Sequence, residues 1–240
     1  MIKQQLMLAC IFILAYSNTA VSQNQTSQPA FNKGPTNFYQ AKKILKEIYK
    51  NKTTTFYCGC KFYYQNNKLV LNHHSCGYQT RQNQERANRI EWEHIMPASY
   101  FGRKLDCWKQ GGRKYCQKHS KQFRKMEADL HNLEPAIGEI NGDRSNFAFA
   151  TVRGEYRNYG QCDIEIDFKR DQIEPKPSIR GNIARVYLYM AKKYNITLSK
   201  QEHEIFAKWA KRDPITRWER KKAALIAKYQ SGLTPVGLAQ

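Results

Sequence analysis

The chain has 240 residues, of which 41% are hydrophobic and 12% are aromatic, and these values exclude a wholly disordered protein. Its 40 Lys and Arg residues outnumber 20 Asp and Glu residues, which gives a formal net charge of +20 at pH 7. A positive charge of this size favours a polyanionic partner, namely nucleic acid, anionic lipid or acidic polysaccharide, although charge alone does not choose among these classes.

The first 22 residues have the pattern of a signal peptide. Lys3 supplies a positive charge, Leu6 to Tyr16 form an apolar run too short to span a bilayer, and Ala20, Val21 and Ser22 offer small residues for cleavage. We therefore predict a signal peptide over residues 1–22, a flexible lead-in over residues 23–35 and export to the periplasm or the medium. No later stretch of sequence has the uninterrupted apolar length of a membrane span.

A single main domain is expected over residues 36–230, followed by a tail over residues 231–240. Apolar residues at helical spacing predict a helix from Thr36 to Tyr49. Aromatic and β-branched residues predict short strands within Thr53 to Tyr64 and Leu69 to Leu71. Residues 81–150 mix short apolar runs with Gly, Pro and Asn, and their pattern does not define regular elements.

The cysteines predict a disulfide framework. Of the seven cysteines, Cys10 lies in the predicted signal peptide, and an even number in an exported chain is typical of disulfide pairing. Proximity in sequence favours the pairs Cys107–Cys116 and Cys60–Cys76, which leaves Cys58 with Cys162. The alternative is a zinc cluster, which an oxidising compartment disfavours. Its ligands would come from Cys58, Cys60, His73, His74 and Cys76.

Glu93 and His94 are the first candidates for catalysis. They combine a carboxylate that can bind a metal with a base of near-neutral pKa. Neighbouring side chains of a strand point to opposite faces. Both residues therefore reach one site only if the chain leaves strand geometry at His94, and Pro97 is consistent with such an exit. Taken alone, the pair is also compatible with an ordinary strand end.

The following segments add an arginine and an asparagine. Cys107 and Cys116 would close a short loop that presents Arg113. Glu134-Pro135 is predicted to begin a short helix that ends near Asn141, where the amide oxygen is available to a hard cation. A strand with a His, a loop with an Arg, a second strand and a helix with an Asn are the parts of a ββα-metal site.

The C-terminal third predicts three helices. An apolar stripe runs from Ile179 to Tyr194, with Ser178 as its N-cap. Ser199 and Glu202 form a capping box at the start of a second helix, and Asp213-Pro214 has the pattern of the start of a third. The whole chain therefore indicates one α+β domain that is rich in helices towards its C-terminus.

Taken together, these segments resemble the endonuclease I family of periplasmic and secreted bacterial nucleases. The match runs in order over roughly residues 38–230. The tail differs, because the family usually ends near Gln-Gly-Asn-x-Asn-Pro where this chain has Gln230-Ser-Gly-Leu-Thr-Pro235, so the resemblance implies no role for the tail. The matching segments are Phe56–Cys60, Cys76–Tyr78, Arg86–Ala87, Ile90–His94, Cys107–Trp108, Gly111–Arg113, Asp129–Leu133, Asn141–Asn146 and Tyr159–Cys162.

The resemblance implies a mixed α/β fold built around a ββα-metal (His-Me finger) motif. It implies that Glu93 and Asn141 hold Mg²⁺, which Mn²⁺ or Ca²⁺ could replace, and that His94 is the general base. By the same match, Arg113 contacts the scissile phosphate and Glu127 supports the site.

The predicted function is that of a secreted or periplasmic, Mg²⁺-dependent, non-specific endonuclease that acts as a monomer on double- and single-stranded DNA and on RNA. Cleavage is expected to leave 5′-phosphate ends, and activity should rise through the pKa of the histidine, near ~6.5 if that pKa is unshifted. The sequence contains no recognition-helix or zinc-finger pattern that would supply base readout. The alternative is a non-catalytic basic protein that binds nucleic acid or another polyanion, which explains the charge but not the joint occurrence of Glu93, His94, Arg113 and Asn141.

Overall fold

The computed structural model describes residues 34–66, 68–154 and 157–238, so the predicted signal peptide and nearly all of the lead-in lie outside the described residues. Its helices are α1 (Phe38–Ile48), α2 (Gln84–Ala87), α3 (Ala98–Gly102), α4 (Asp106–His119), α5 (Lys121–Glu127), α6 (Gly138–Arg144), α7 (Arg180–Tyr194), α8 (Lys200–Arg212) and α9 (Arg217–Ala227). Its strands are β1 (Phe62–Gln65), β2 (Lys68–Leu71), β3 (Ile90–His94), β4 (Leu133–Ile137), β5 (Ala148–Phe149), β6 (Ile164–Asp167) and β7 (Gln172–Pro175).

The strands form small separate sheets, which confirms the predicted α+β class. β1 pairs with β2, and β3 pairs with β4, both antiparallel. In the third sheet β7 lies between β5, to which it is parallel, and β6, to which it is antiparallel. The chain passes through α3, α4 and α5 between β3 and β4 and enters α6 directly after β4. This order places α6 beside the β3–β4 pair.

The helix predicted to begin at Glu134-Pro135 is wrong. Residues Leu133–Ile137 form β4, in which Glu134 pairs with Glu93 and Pro135 with Trp92 of β3, and the helix begins only at Gly138. All five β4 residues are buried, so pairing with β3 and burial override the local helix-start pattern. The helix also continues past Asn141 to Arg144, which puts Asn141 inside α6 and not at its end.

The segment predicted as a disulfide-closed loop is largely helical. Residues 106–119 form α4, which kinks at Gly111 and Gly112, and Gly112 has a left-handed φ of 62°. A residue with a β-carbon adopts that conformation only at a cost, so the glycine allows two helical pieces to meet at an angle. Arg113 follows the kink directly and is therefore carried by a helix.

The predicted helices at the C-terminus form, with two changes at their starts. Ser199 and Glu202 make both hydrogen bonds of the capping box that opens α8. Asp213 does not begin α9 but follows α8, and its side chain accepts a hydrogen bond from the Gly181 N–H. Thr216 and Glu219 form the capping box of α9 instead. Ser178 lies within a short 3₁₀ segment before α7 and does not cap that helix.

Two hydrophobic clusters and three disulfides stabilise the part of the chain that the structure describes. The larger cluster packs α7 and α8 against the strands, and the smaller one packs α1 and α9 against Trp92 and Leu133. The disulfides confirm the predicted pairing: Cys107–Cys116 and Cys60–Cys76, which proximity in sequence favoured, and Cys58–Cys162, the pair that remained. Cysteines bonded in this way cannot act as zinc thiolates, so the alternative zinc cluster is wrong. Among the described residues, no helix has the length and apolarity to cross a membrane.

Candidate active site

Four of the predicted site residues line one open cavity of about 650 Å³. Glu93 and His94 come from β3, Arg113 from α4 and Asn141 from α6. Residues that are far apart in sequence therefore meet where α4 and α6 approach the end of β3. The fifth predicted residue, Glu127, lies buried behind the cavity at the end of α5.

His94 is held by a backbone carbonyl. Its Nε2 lies 2.8 Å from the Glu127 carbonyl oxygen, and its ring centre lies 4.9 Å from that of Phe38. Because a carbonyl can only accept, Nε2 carries the hydrogen in the neutral ring and Nδ1 is left with a free lone pair. Burial, with Arg113 as the next contribution, lowers the pKa of His94 to about 3. The rise in activity near ~6.5 was expected for an unshifted histidine, and this environment shifts the pKa of His94 downward.

Glu127 joins the histidine to the arginine. Its carboxylate Oε1 accepts hydrogen bonds from Arg113 Nε and Gln117 Nε2, each at 2.7 Å, while its backbone carbonyl accepts the His94 bond. Glu127 is 1% exposed whereas the Arg113 side chain is 43% exposed, so the ion pair fixes the base of a guanidinium that still reaches the cavity. Glu127 thus contacts both groups but has no exposed surface of its own for a substrate.

Glu93 lies on the wall of the cavity but is 3% exposed. Its Oε1 lies 3.2 Å from Arg144 Nη1 and accepts a hydrogen bond of 2.9 Å from the Tyr57 hydroxyl. Burial raises the pKa of Glu93 to about 7, although Arg144 and Tyr57 both act to lower it. A carboxylate this poorly solvated gains free energy from any additional cation that it contacts.

Arg144, which the sequence analysis did not single out, organises the end of β3. It is 1% exposed, and its guanidinium donates to the carbonyl oxygens of His94 at 3.1 Å and Ile95 at 2.7 Å. The same group pairs with Glu93. β3 remains a regular strand through His94, and Arg144 then binds the carbonyls at the point where the strand ends.

Glu91 is the second residue that sequence reasoning missed. It lines the cavity, and its Oε2 accepts a hydrogen bond of 2.5 Å from Asn141 Nδ2. Arg86 and Arg89 also donate to its carboxylate. The signal was present in the sequence, because Glu91 is two residues from Glu93 and a strand places such residues on one face.

Gly142 explains how Arg86 reaches this carboxylate. A β-carbon at position 142 would lie 2.0 Å from Arg86 Nη1, so the arginine crosses the α6 backbone where only a glycine leaves room.

Within the described ranges, no three His, Cys, Asp or Glu side chains converge as a complete metal cage. The carboxylates that line this cavity are those of Glu91 and Glu93, and Asn141 adds an amide oxygen.

Comparison with known proteins identifies the family. The profile of the Endonuclease I family matches residues 17–236. Endonuclease-1 of Buchnera aphidicola subsp. Acyrthosiphon pisum (strain APS) is 51% identical over 194 residues, which cover 81% of this chain and 77% of the relative. An extracellular deoxyribonuclease of Aeromonas hydrophila is 44% identical over 210 residues, covering 87% and 91%, and a periplasmic deoxyribonuclease of the same species is 44% identical over 199 residues, covering 82% and 84%.

These matches confirm the resemblance found in the sequence and the predicted enzyme class, an endonuclease. The alternative of a non-catalytic basic binder is set aside, because relatives of this similarity over most of the chain are named as nucleases. The chain therefore belongs to the endonuclease I family.

Proposed function

We propose that the chain is an exported endonuclease that hydrolyses phosphodiester bonds of DNA, and also of RNA, with His94 as the general base. The observation that carries the proposal is the bond between His94 Nε2 and the Glu127 carbonyl, because it directs the proton-accepting Nδ1 away from that bond in a cavity shared with Arg113 and Asn141. A neutral imidazole held in one tautomer is suited to taking a proton from an attacking water molecule.

Arg113 has the complementary role. Its guanidinium, fixed at Nε by Glu127, is assigned to the scissile phosphate, where it would balance the charge that develops during attack. Glu127 positions Arg113 through its carboxylate and His94 through its carbonyl, so we propose it as a positioning residue. Hydrolysis by this route is expected to leave 5′-phosphate ends.

The oxygen donors at the cavity fit a divalent metal ion, and we assign Glu93 and Asn141 to hold Mg²⁺, with Mn²⁺ or Ca²⁺ as possible replacements. Mg²⁺ prefers carboxylate and amide oxygens and retains several waters, so two protein ligands suffice. Asn141 donates through Nδ2 to Glu91, which leaves its Oδ1 without a hydrogen bond from the described residues. When bound, such an ion offsets negative charge on the phosphate and on the leaving oxygen. Glu91 orients the Asn141 amide and adds negative charge nearby.

In this proposal β3, β4 and α6 are the two strands and the helix of a ββα-metal motif. The motif would belong to a nuclease domain over residues 36–230, with a signal peptide over residues 1–22 and a lead-in over 23–35. Relatives named as extracellular and periplasmic deoxyribonucleases support export and DNA as a substrate. We further propose that the protein acts as a monomer and cuts without strong sequence preference, since contacts from cationic side chains to phosphates position the substrate without reading its bases.

Cleavage of supercoiled plasmid, with Mg²⁺ or with a chelator, tests the proposal. His94→Ala should lose cleavage by at least roughly 100-fold, the typical contribution of a general base, while keeping its affinity for DNA. His203→Ala, at an exposed site on α8, is the matched control and should cut like the wild type. Near-wild-type cutting by folded His94→Ala would contradict the role of His94 as general base. Full cutting in chelator would contradict the need for a metal ion.

Metal binding and affinity supply independent measurements. Glu93→Gln and Asn141→Ala should weaken Mn²⁺ or Mg²⁺ binding in calorimetry without nucleic acid present. DNA affinity should fall by orders of magnitude between ~50 mM and ~200 mM salt if several phosphates are neutralised. Sharp, unique cut sites on a plasmid would contradict the lack of sequence preference. If RNA is not cleaved, the substrate is restricted to DNA.

A further inference from the structure

The active-site cavity shares Phe38 and Lys42 with a second groove of about 280 Å³, which we call the α1 groove and define by Asn37, Phe38, Tyr39, Lys42, Gln117, Arg124 and Glu127. We propose that the α1 groove binds an unpaired nucleotide of single-stranded DNA, with its base stacked on the ring of Tyr39. The proposal rests on the proposed function, because it extends the path of the substrate that His94 would cleave.

Tyr39 has the properties of a stacking platform. It lies in the first turn of α1 and is 64% exposed, the largest exposed fraction among the large hydrophobic side chains that the structure describes. Lys43 Nζ lies 4.6 Å from the ring centre, so a cation sits against the aromatic ring. Because the ring is so exposed, burial in the core does not account for an aromatic residue at this position. Bases stack on exposed aromatic rings whatever their identity, because every base has a π-face.

Phe38 connects the α1 groove to the active site. It lines both cavities, as does Lys42, and its ring centre lies 4.9 Å from that of His94. Arg113 Cζ lies 5.6 Å from the same ring centre, and Lys42 Nζ lies 5.0 Å from it. A strand whose phosphate is held at Arg113 can therefore cross Phe38 and bring a neighbouring nucleotide to Tyr39.

The charges of the groove suit a phosphate backbone. Lys42 and Arg124 form no ion pair with a carboxylate among the described residues, and Arg124 Nη1 donates only to backbone carbonyls at the end of α4. The carboxylate of Glu127 is already paired with Arg113. Two cations beside an exposed aromatic ring form the combination by which proteins track single strands, with cations on the backbone and rings on the bases.

This geometry distinguishes single strands from duplexes. In a duplex the bases are paired and stacked inside the helix, so an internal base cannot reach a surface ring without being unstacked. Only an unpaired nucleotide gains the contact with Tyr39 at no such cost. The groove should therefore raise the affinity for single-stranded DNA more than the affinity for a duplex of equal length.

The test measures binding of single-stranded and duplex oligonucleotides of equal length in EDTA, with the intactness of the DNA checked on a gel. Tyr39→Ala and Tyr39→Leu should lower single-strand affinity roughly fivefold or more beyond any loss for the duplex, whereas Tyr39→Phe should retain it. In single strands that carry 2-aminopurine, the wild type and Tyr39→Phe should quench the fluorescence on binding, and the other two variants should not.

Tyr63→Ala is the matched control, since Tyr63 is a 50% exposed tyrosine on β1 and should leave all of these values unchanged. Equal losses of single-strand and duplex affinity in Tyr39→Ala, or undiminished quenching, would overturn the proposal. If the wild type cuts DNA and Tyr39→Ala matches Tyr63→Ala, the α1 groove fails while the proposed function stands. If the wild type neither binds nor cuts either DNA, the proposed function fails and takes the groove with it.

Discussion

Arg144→Met tests how the end of β3 is held. Arg144 is 1% exposed, lies 3.2 Å from Glu93 Oε1 and donates to the carbonyl oxygens of His94 and Ile95. Methionine is comparably long but removes the charge and all of the donors. Removal of one partner from a buried ion pair costs ~3–5 kcal/mol, because the other charge stays buried without compensation. At ~2–4 °C per kcal/mol for a chain of this size, the Tm should fall by ~6–20 °C.

Thermal and urea unfolding measure this loss, and a double variant tests its cause. Glu93→Gln with Arg144→Met removes the uncompensated carboxylate, so it should recover a large part of the stability that Arg144→Met loses. It should not recover cleavage, because Glu93 is a proposed metal ligand. Arg220→Met, at an exposed arginine on α9, is the control and should shift stability by less than ~0.5 kcal/mol.

A fall in Tm of less than ~2 °C for Arg144→Met would refute this reasoning, since it would mean that the buried pair contributes nothing that methionine cannot replace. A double variant less stable than the single variant would refute it differently, by showing that the hydrogen bonds to the two carbonyls, and not the buried charge, carry the loss.

Three further predictions concern neighbouring features. Glu127→Gln should lower kcat roughly 10-fold or more through the loss of its ion pair with Arg113, while Tm changes by only a few degrees, and steady-state kinetics with thermal melts would show both. Burial lowers the pKa of His131 to about 3, although Asp129 acts to raise it. The unfolded chain therefore binds more protons between pH ~3 and ~6.5, and stability falls as the pH drops through that interval. In urea titrations at a series of pH values, His131→Phe should reduce the loss of unfolding free energy over this interval by ~3–5 kcal/mol. A pH dependence equal to that of the wild type would contradict this. Reduction of Cys107–Cys116, or its replacement by two serines, should lower the free energy of unfolding by ~2–3 kcal/mol and should lower the cleavage rate. Calorimetry and activity assays measure the two effects, and an unchanged value in either would contradict the prediction.

The sequence was most informative where the determining contacts are local. The helix α1 follows from its apolar spacing, and the capping box of α8 follows from Ser199 and Glu202, which bond within four residues of each other. The resemblance to the family was equally accessible, because it depends on short motifs in a fixed order. None of these inferences needs knowledge of which distant segments touch.

The sequence misled where distant partners decide the local structure. Residues 133–137 carry a helix-start pattern, yet pairing with β3 makes them a strand. Asp213 precedes a proline as a cap would, yet its side chain binds the Gly181 N–H and leaves the capping of α9 to Thr216. The role of Arg144 was invisible for the same reason, since its partners are backbone carbonyls at the end of β3.

The site is built from two pairs of residues that depend on each other. Glu91 and Glu93 share one face of β3, and Asn141 and Arg144 lie three residues apart on α6, so one strand face meets one helix face. Asn141 bonds Glu91 while Arg144 pairs with Glu93, which links the proposed metal ligands to the contacts that dock α6. Loss of activity after substitution of any one of these four residues therefore does not by itself separate metal binding from the docking of α6. The calorimetric metal titration and the melting curve must be read together, and a variant that loses metal affinity at unchanged Tm is the one that identifies a ligand.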